Sequence, residues 1–387
     1  MSASISCSEA LEAIRRGEHL SRDVVRTLGE EQPGEFFRTI VEALSDSFDP
    51  RQVAAYEELM RAWIPQAART QPEIPKRVDS VCVLSRVTLG SDIKITSIIL
   101  DAVKRRFPDA SIQFVANRKS AELFETDPRI NHLEAEYPRS GPVSLRIEFA
   151  HDLRCKLKAP NRIVIDPDSR MTQLGLLPVC EPEHYFHFPS RTAGSYSNNA
   201  APNLTHLTQN WLQETFGESG HSYIAPALAG IESDAPRAAI SLGVGGNDSK
   251  RLGGDFETEL LRSLGARFKA LWIDRGAGGE EARRVPAAVE ASGTSDRVRY
   301  WEGSFAGFAS IISQCDFYAG YDSAGQHAAA AANIPLASYF GGAPSQRFLE
   351  RWAPAGNGHI RVVPICLNAE TEWILGNFES ILAENSN

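Results

Sequence analysis

The sequence is poor in the features that mark several protein classes. Only six cysteines occur in 387 residues, at 7, 82, 155, 180, 315 and 366, and none forms a C-x-x-C pair. That scatter argues against a disulfide frame or a cysteine zinc site and points to reduced thiols in a reducing compartment. Basic residues are outnumbered, 40 Lys and Arg against 49 Asp and Glu, for a net charge of −9. A general nucleic-acid binder needs a basic field, so no nucleic-acid partner is expected, although a local basic pocket for a small anion is compatible with the total. No apolar run approaches the roughly 20 residues that cross a bilayer. The longest, around Ala328–Ala332, is broken by Asn333 and Pro335. The opening "MSASISCSEALEAIRRGEHL" has neither the basic leader nor the apolar core of an export signal, so the expected address is the cytoplasm. No G-x-S-x-G nucleophile motif is present.

What remains, 42% hydrophobic and 23% charged residues, describes a globular chain too long for one typical core. Residues 1–75 form an expected helical extension. "SEALEAIRRG" ends on Gly17, "SRDVVRTLGE" starts at a Ser21 cap, and two further helical spacings follow. The Pro-rich "PQAARTQPEIPKR" (65–77) closes it. Packing and partner contact are both open roles for this extension, and no residue in it favours the second.

From residue 78 the rhythm changes to alternating strands and helices. "VDSVCVLSR", "SIQFVAN" and "INHLEAEYP" read as strands, separated by "SDIKITSIILDAVKRRFP" and "KSAELFETDP" as helices. This βαβαβ order predicts a parallel sheet with right-handed crossovers. A second alternating unit begins at "RAAISLGVGG" and runs to "PLASYFGG". The expected fold is therefore α/β, two Rossmann-like domains facing across a cleft: 76–232, then 233–350, with a 351–387 tail whose helix packs back.

Ligands of parallel α/β domains sit where strands end and helices begin, and three such turns carry polar chemistry. In "RVTLGSDIKITS" (86–97), Asp92 is either a helix N-cap or a carboxylate projecting as a general base. "SLGVGGNDSKRLGG" (241–254) lacks both the Walker and G-x-G-x-x-G patterns, but it is a flexible loop followed by Lys250 and Arg251. It reads equally as a surface turn or as a phosphate contact. In "GYDSAGQHAAAAANIP" (320–335), Asp322, Ser323, Gly325 and His327 stand at the mouth of an Ala-rich helix. That is either an ordinary capped helix or an anion seat. The H-x-x-H pair His184 and His187 lacks an acidic or thiol partner, and Asp166 and Asp168 in "IDPDSR" read as a turn.

Taken together, four segments resemble glycosyltransferase family 9, the family of bacterial lipopolysaccharide heptosyltransferases. They are "GSDIKITSIILDAVKRRFPDASIQFVANRKSAELFETDPRIN", "VGGNDSKRLGGDFETELLRSL", "IDRGAGGEEARRV" and "FASIISQCDFYAGYDSAGQHAAAAANIPLASYFGG", in the family's order and spanning about residues 80–350. The resemblance implies a GT-B fold with the acceptor on the first domain and the nucleotide sugar on the second. It implies inverting transfer with no bound metal and no cofactor. By matching position, Asp92 would be the catalytic base, Lys250 a diphosphate contact, and Glu280 or Glu281 a ribose contact. Asp322, Ser323, the backbone at Ala324 and Gly325, and His327 would line the diphosphate and sugar. Two positions depart from the pattern: Ser91 stands where the family has Gly before the Asp, and Ala324 where it has Gly after Asp-Ser.

The implied activity is transfer of a heptose or similar sugar from a nucleotide-diphosphate sugar to lipopolysaccharide or another glycan, with peripheral contact to the inner face of the membrane through a glycolipid acceptor. Two other readings stay open: a nucleotide-sugar epimerase of the same fold, and a catalytically silent sugar-nucleotide-binding scaffold.

Overall fold

The computed structural model describes residues 5–64, 71–194, 203–231, 235–244, 248–275, 278, 280–343 and 345–365. The expected carboxy-terminal helix, Cys366, Gly245–Asn247 of the glycine-rich loop, and residues 276, 277 and 279 lie outside these. The chain divides into two compact units: Met1–Thr88 with Ile99–Arg118 and Pro128–Gly220, and Leu89–Ile98 with Lys119–Asp127 and His221–Asn387. The turn that carries Asp92 thus packs with the second unit, although the strand before it belongs to the first.

The first unit opens with the helices Cys7–Arg15, Arg22–Glu31 and Pro50–Met60. Between the last two runs a helical stretch whose middle, Phe36–Val41, is π-helical. Of the caps, Ser21 is the one read from the sequence. Ser6 and Glu9 form a reciprocal capping box, Ser21 accepts from Val24 N–H, and Asp49 accepts from Arg51 N–H. The helices bury Phe36, Ile40, Leu44 and Met60 in one cluster with Val143 and Leu174 of the sheet-bearing region. Polar ties reinforce the packing: Tyr56 Oη donates to Gln173 O at 3.2 Å, and Ser144 Oγ donates to Glu30 at 2.7 Å.

The sheet of this unit contains β1 (Ser80–Leu84), β2 (Ser111–Ala116), β3 (Ile130–Glu134), β4 (Arg162–Asp166) and β5 (Tyr185–His187), in the order β3-β2-β1-β4-β5. Every pairing is parallel. The central β1, "SVCVL", is buried along its whole length, as a strand covered on both faces must be.

The second unit holds β6 (Arg237–Ser241), β7 (Ala270–Asp274), β8 (Val298–Trp301), β9 (Phe317–Tyr321), β10 (Leu336–Phe340) and β11 (Ile360–Pro364). Their order is β11-β10-β9-β6-β7-β8, again all parallel. Both sheets follow the doubly wound pattern, and the chain reverses direction across the sheet between β1 and β4 and between β6 and β9. At each reversal the two outgoing connections diverge and open a crevice at the carboxyl ends of the strands.

Candidate active site

The reversal between β6 and β9 gathers most of the chemistry expected from the sequence. After β9 the chain passes Asp322 and Ser323 into the helix Ala324–Ala331. Ser323 is extended (φ −153°, ψ −179°) and makes no side-chain capping bond, so the first N–H groups of the helix are not closed off by their own cap. Its Oγ is buried and has no hydrogen-bond partner, and neither has the Tyr318 hydroxyl from β9. Burial pushes the Tyr318 phenol up to about 12. Three hydroxyls, from Ser241 on β6, Tyr318 on β9 and Ser323 at the helix mouth, crowd one point.

Gly325 explains itself there. A Cβ at this position would collide with Tyr318 Oη and lie 2.9 Å from Ser241 Oγ. The residue is glycine because the tyrosine occupies the space. Ala324 faces the other way: a Cβ at Gly90 would lie 3.5 Å from Ala324 Cα and 3.8 Å from its Cβ. The departure at 324 is thus a contact with the Asp92 turn.

Asp322 is fully engaged. Lys250 Nζ donates to its Oδ2 at 2.7 Å and to its carbonyl at 3.3 Å, and Gln326 Nε2 donates to Oδ1 at 2.6 Å. Gln326, wholly buried, also accepts from Ser338 Oγ on β10. The sequence reading passed over Gln326, although its i,i+4 spacing from Asp322 was the available signal. His327 is buried, with its ring 6.1 Å from that of Trp352. Burial, then the charges of Lys94 and Lys250, hold it well below the usual imidazole range. At neutral pH it is therefore a neutral hydrogen-bonding group rather than a cation.

Asp92 is not a helix N-cap. A helical turn, Leu89–Ser91, precedes it, and Asp92 opens the π-helical segment Asp92–Thr96. Its carboxylate is buried and accepts from Thr96 Oγ1 at 2.9 Å. Ser91, which replaces the expected glycine, is helical and buried. Two positions on, Lys94 is also buried and donates to Ala353 O at 2.7 Å. It is a second residue the sequence reading missed, a lone cation inside "DIKITSIIL".

The two glutamates separate. Glu280 is exposed and paired with Arg251 at 2.9 Å. Glu281, at the start of the helix Glu281–Ser292, lays its carboxylate against Gly243 just beyond β6, where a Cβ would strike its Oε1. Burial, then the neighbouring Asp274 at the end of β7, raises its pKa.

In the first unit, the reversal between β1 and β4 carries a buried ionic network. Asp168, at φ +68°, pairs with Arg191 at 2.9 Å and lies 3.4 Å from His187. Arg191 also reaches Asp46 of the helical extension, and Arg86 donates to Ser190 Oγ at 2.6 Å. Although burial opposes ionisation, the Arg191 guanidinium holds Asp168 well below the usual carboxylate range. Asp166 instead ties its own turn together, accepting from Ser169 N–H, Thr172 and Tyr185. Cavities occur elsewhere among the described residues. One of about 700 Å³ lies among the amino-terminal helices, and one of about 480 Å³ lies beside Arg251, Glu257 and Arg284.

No protein-family model matches the chain. No curated protein matches it. Solved structures do. The glycosyl transferase family 9 from Veillonella parvula DSM 2008 matches over 81% of this chain and 99% of its own, with 15% identity and a TM-score of 0.59. The E. coli heptosyltransferase WaaC, solved with ADP, matches over 78% and 99%, with 16% identity and a TM-score of 0.55. The E. coli ADP-heptose lipopolysaccharide heptosyltransferase II matches over 80% and 100%, with 17% identity and a TM-score of 0.55. At these identities the likeness is one of fold, and the two parallel α/β sheets of this chain have the GT-B fold of those transferases. The resemblance read from four sequence segments is met at that level.

Proposed function

We propose that this protein is a glycosyltransferase that takes its sugar from a nucleotide-diphosphate donor seated at the reversal between β6 and β9. The observation that carries the reading is the mouth of the Ala324–Ala331 helix. There a helix without a side-chain cap, an unpartnered Ser323 hydroxyl and the Lys250 ammonium converge. Free N–H groups at a helix start, with a lysine beside them, are suited to a diphosphate. Glu281, lying against Gly243 beyond β6, is the better placed of the two glutamates for a ribose; Glu280 is occupied by Arg251.

In the proposed reaction Asp92 takes the proton of an acceptor hydroxyl, and the hydroxyl oxygen attacks the anomeric carbon from the face opposite the leaving group. The nucleoside diphosphate departs with the bonding pair, so the configuration inverts and the proton ends on Asp92. General-base assistance of this kind contributes about 10²–10⁴-fold. Charge developing on the leaving diphosphate is met by Lys250 and the helix N-terminus, so the step calls for no metal ion. An ADP-linked heptose or similar sugar is the first donor to test, with lipopolysaccharide or another glycan as acceptor at the cytoplasmic face of a membrane. The experiment is a thermal-shift and calorimetric panel of ADP, UDP, GDP and their sugars. A rise in midpoint with one diphosphate series is expected, and silence across the panel overturns the donor reading.

A second reading, a sugar-nucleotide-binding protein without transfer, draws on the complete burial of Asp92. Release of nucleoside diphosphate from a bound donor in the presence of glycan acceptors decides against it.

A further inference from the structure

The run "SDIKITSIIL" places a lysine where no lysine ordinarily belongs. Every residue from Ser91 to Leu100 is buried, and Lys94 itself is 2% exposed, so its ammonium does not snorkel to solvent. The π-helical turn instead holds it inside the second unit, with one N–H given to Ala353 O just past the helix Gln346–Trp352. The turn packs on the Ala324–Ala331 helix, where Gly90 meets Ala324 and His327. The Lys94 charge is felt by His327, and it feels Asp322 in return.

We propose that Lys94 is a second cation of the donor site, working beside Lys250, and that it strengthens the hold on a nucleotide diphosphate only while it carries its proton. This rests on the donor site proposed above. The ionic groups of the site include Lys94, Lys250, Asp322 and, against Gly243, Glu281. Loss of the Lys94 proton lowers their summed charge by one, so a diphosphate diester, itself twice negative, meets a less favourable site once Lys94 is neutral. The other charged or titratable groups on the surrounding elements are Asp92 on the same turn, His327, which burial keeps neutral, Arg347, Glu350 and Arg351 on Gln346–Trp352, and Asp248 and Arg251 beside Lys250. The arginines do not change charge near neutrality.

Burial brings Lys94 down to about 7, against which Asp322 pulls upward. The sign follows. Lys94 carries its charge below pH 7 and loses it as the pH rises through 7, so affinity falls in the same window. An arriving diphosphate raises the lysine again, so binding near pH 8 takes up a proton. A rise of one pKa unit on binding corresponds to about a tenfold change in affinity.

The test is isothermal titration of ADP-glucose, whose diphosphate diester does not ionise between pH 6 and 9, into wild type, Lys94→Arg and Lys94→Met. Wild type is expected to weaken about tenfold from pH 6 to pH 9 and, near pH 8, to take up protons, read in buffers of different ionisation enthalpy. Lys94→Arg should bind tightly and without pH dependence, and Lys94→Met weakly and without it. The same pH slope in Lys94→Met as in wild type overturns the proposal. Wild type that binds no nucleotide sugar in the panel removes the donor site itself, which is a different failure. A ligand-free measurement stands apart from both. The unfolding midpoint of wild type should climb relative to Lys94→Met between pH 6 and pH 9, and a constant gap shows that Lys94 does not titrate there.

Discussion

Gly325→Ala is the substitution on which sequence and structure disagree most sharply. Gly325 lies one residue into a helix with an ordinary helical backbone, and there alanine is the better helix former by up to about 1 kcal/mol. Judged by propensity alone, the change stabilises. The packing argues otherwise. The new methyl carbon would overlap Tyr318 Oη and lie 2.8 Å from Tyr318 Cζ and 2.9 Å from Ser241 Oγ. Tyr318 is completely buried, and in a close-packed interior its ring has to be displaced to admit the methyl group. Overpacking of this kind costs about 1–3 kcal/mol, so the expected net effect is a loss of roughly 1–2 kcal/mol. Tyr318→Phe gives the control. It deletes a buried hydroxyl that has no hydrogen-bond partner, which should recover about 1 kcal/mol, because an unsatisfied buried hydroxyl is itself a penalty of about 1–3 kcal/mol. It also removes the atom nearest the new methyl group. Gly325→Ala should therefore cost about 1 kcal/mol less in the phenylalanine background, a coupling that a double-mutant cycle measures. The assay is urea unfolding of the four proteins, with hydrogen exchange along Ala324–Ala331 as the local readout. A stabilised Gly325→Ala, or an equal cost in both backgrounds, refutes the steric account of this glycine.

Three further outcomes follow from the sites described. Asp92→Asn should keep nucleotide-diphosphate binding within about twofold while transfer falls at least about 100-fold, measured as product per bound donor; undiminished transfer removes the base assignment. Lys250→Ala should weaken diphosphate binding about tenfold by calorimetry, and unchanged affinity counts against the phosphate role. Asp168→Asn should lower stability by about 3 kcal/mol, because it strips Arg191 of one buried carboxylate. The Asp168 carboxyl is held below its unfolded value, so its contribution is present above about pH 4 and lost as the pH falls through the folded pKa. Wild type should accordingly lose more stability than the variant on acidification from pH 4 to pH 2.

Most strands were legible because parallel, doubly covered strands are written as short unbroken apolar runs, and "VCVL", "FVA" and "FYAGY" are such runs. Three strands were not. β4, "RIVID", runs into a turn that was read for its aspartates alone. β5 is three residues inside "HYFHF", a segment read only for its histidine spacing. The second of those histidines lies beside Asp168, and its ring occupies the space over Gly175. β11 is an edge strand that is only partly buried and ends in Pro364, so it reads as tail. An edge position permits both the proline and the exposure.

At the site, residue types were legible and their partners were not, and the reason is distance along the chain. Lys250 and Asp322 are 72 residues apart, Lys94 and Ala353 are 259 apart, and Asp46 and Arg191 are 145 apart. No local pattern encodes such pairings; the first follows from strand order, which brings β6 beside β9, and the others from the packing of segments far apart in the chain. Those pairings also change what the motif means. Asp322 takes side-chain hydrogen bonds from Lys250 and Gln326, and the missing side chain of Gly325 makes room for Tyr318 while its backbone stays at the helix mouth. What they leave for a ligand is the mouth of the helix itself, with Ser323 and the ammonium that Asp322 holds in place. The acid of the motif then acts through its partner. Replacing Asp322 should free Lys250 before it touches any phosphate, and a loss of donor affinity in Asp322→Asn should carry the same salt dependence as the loss in Lys250→Ala.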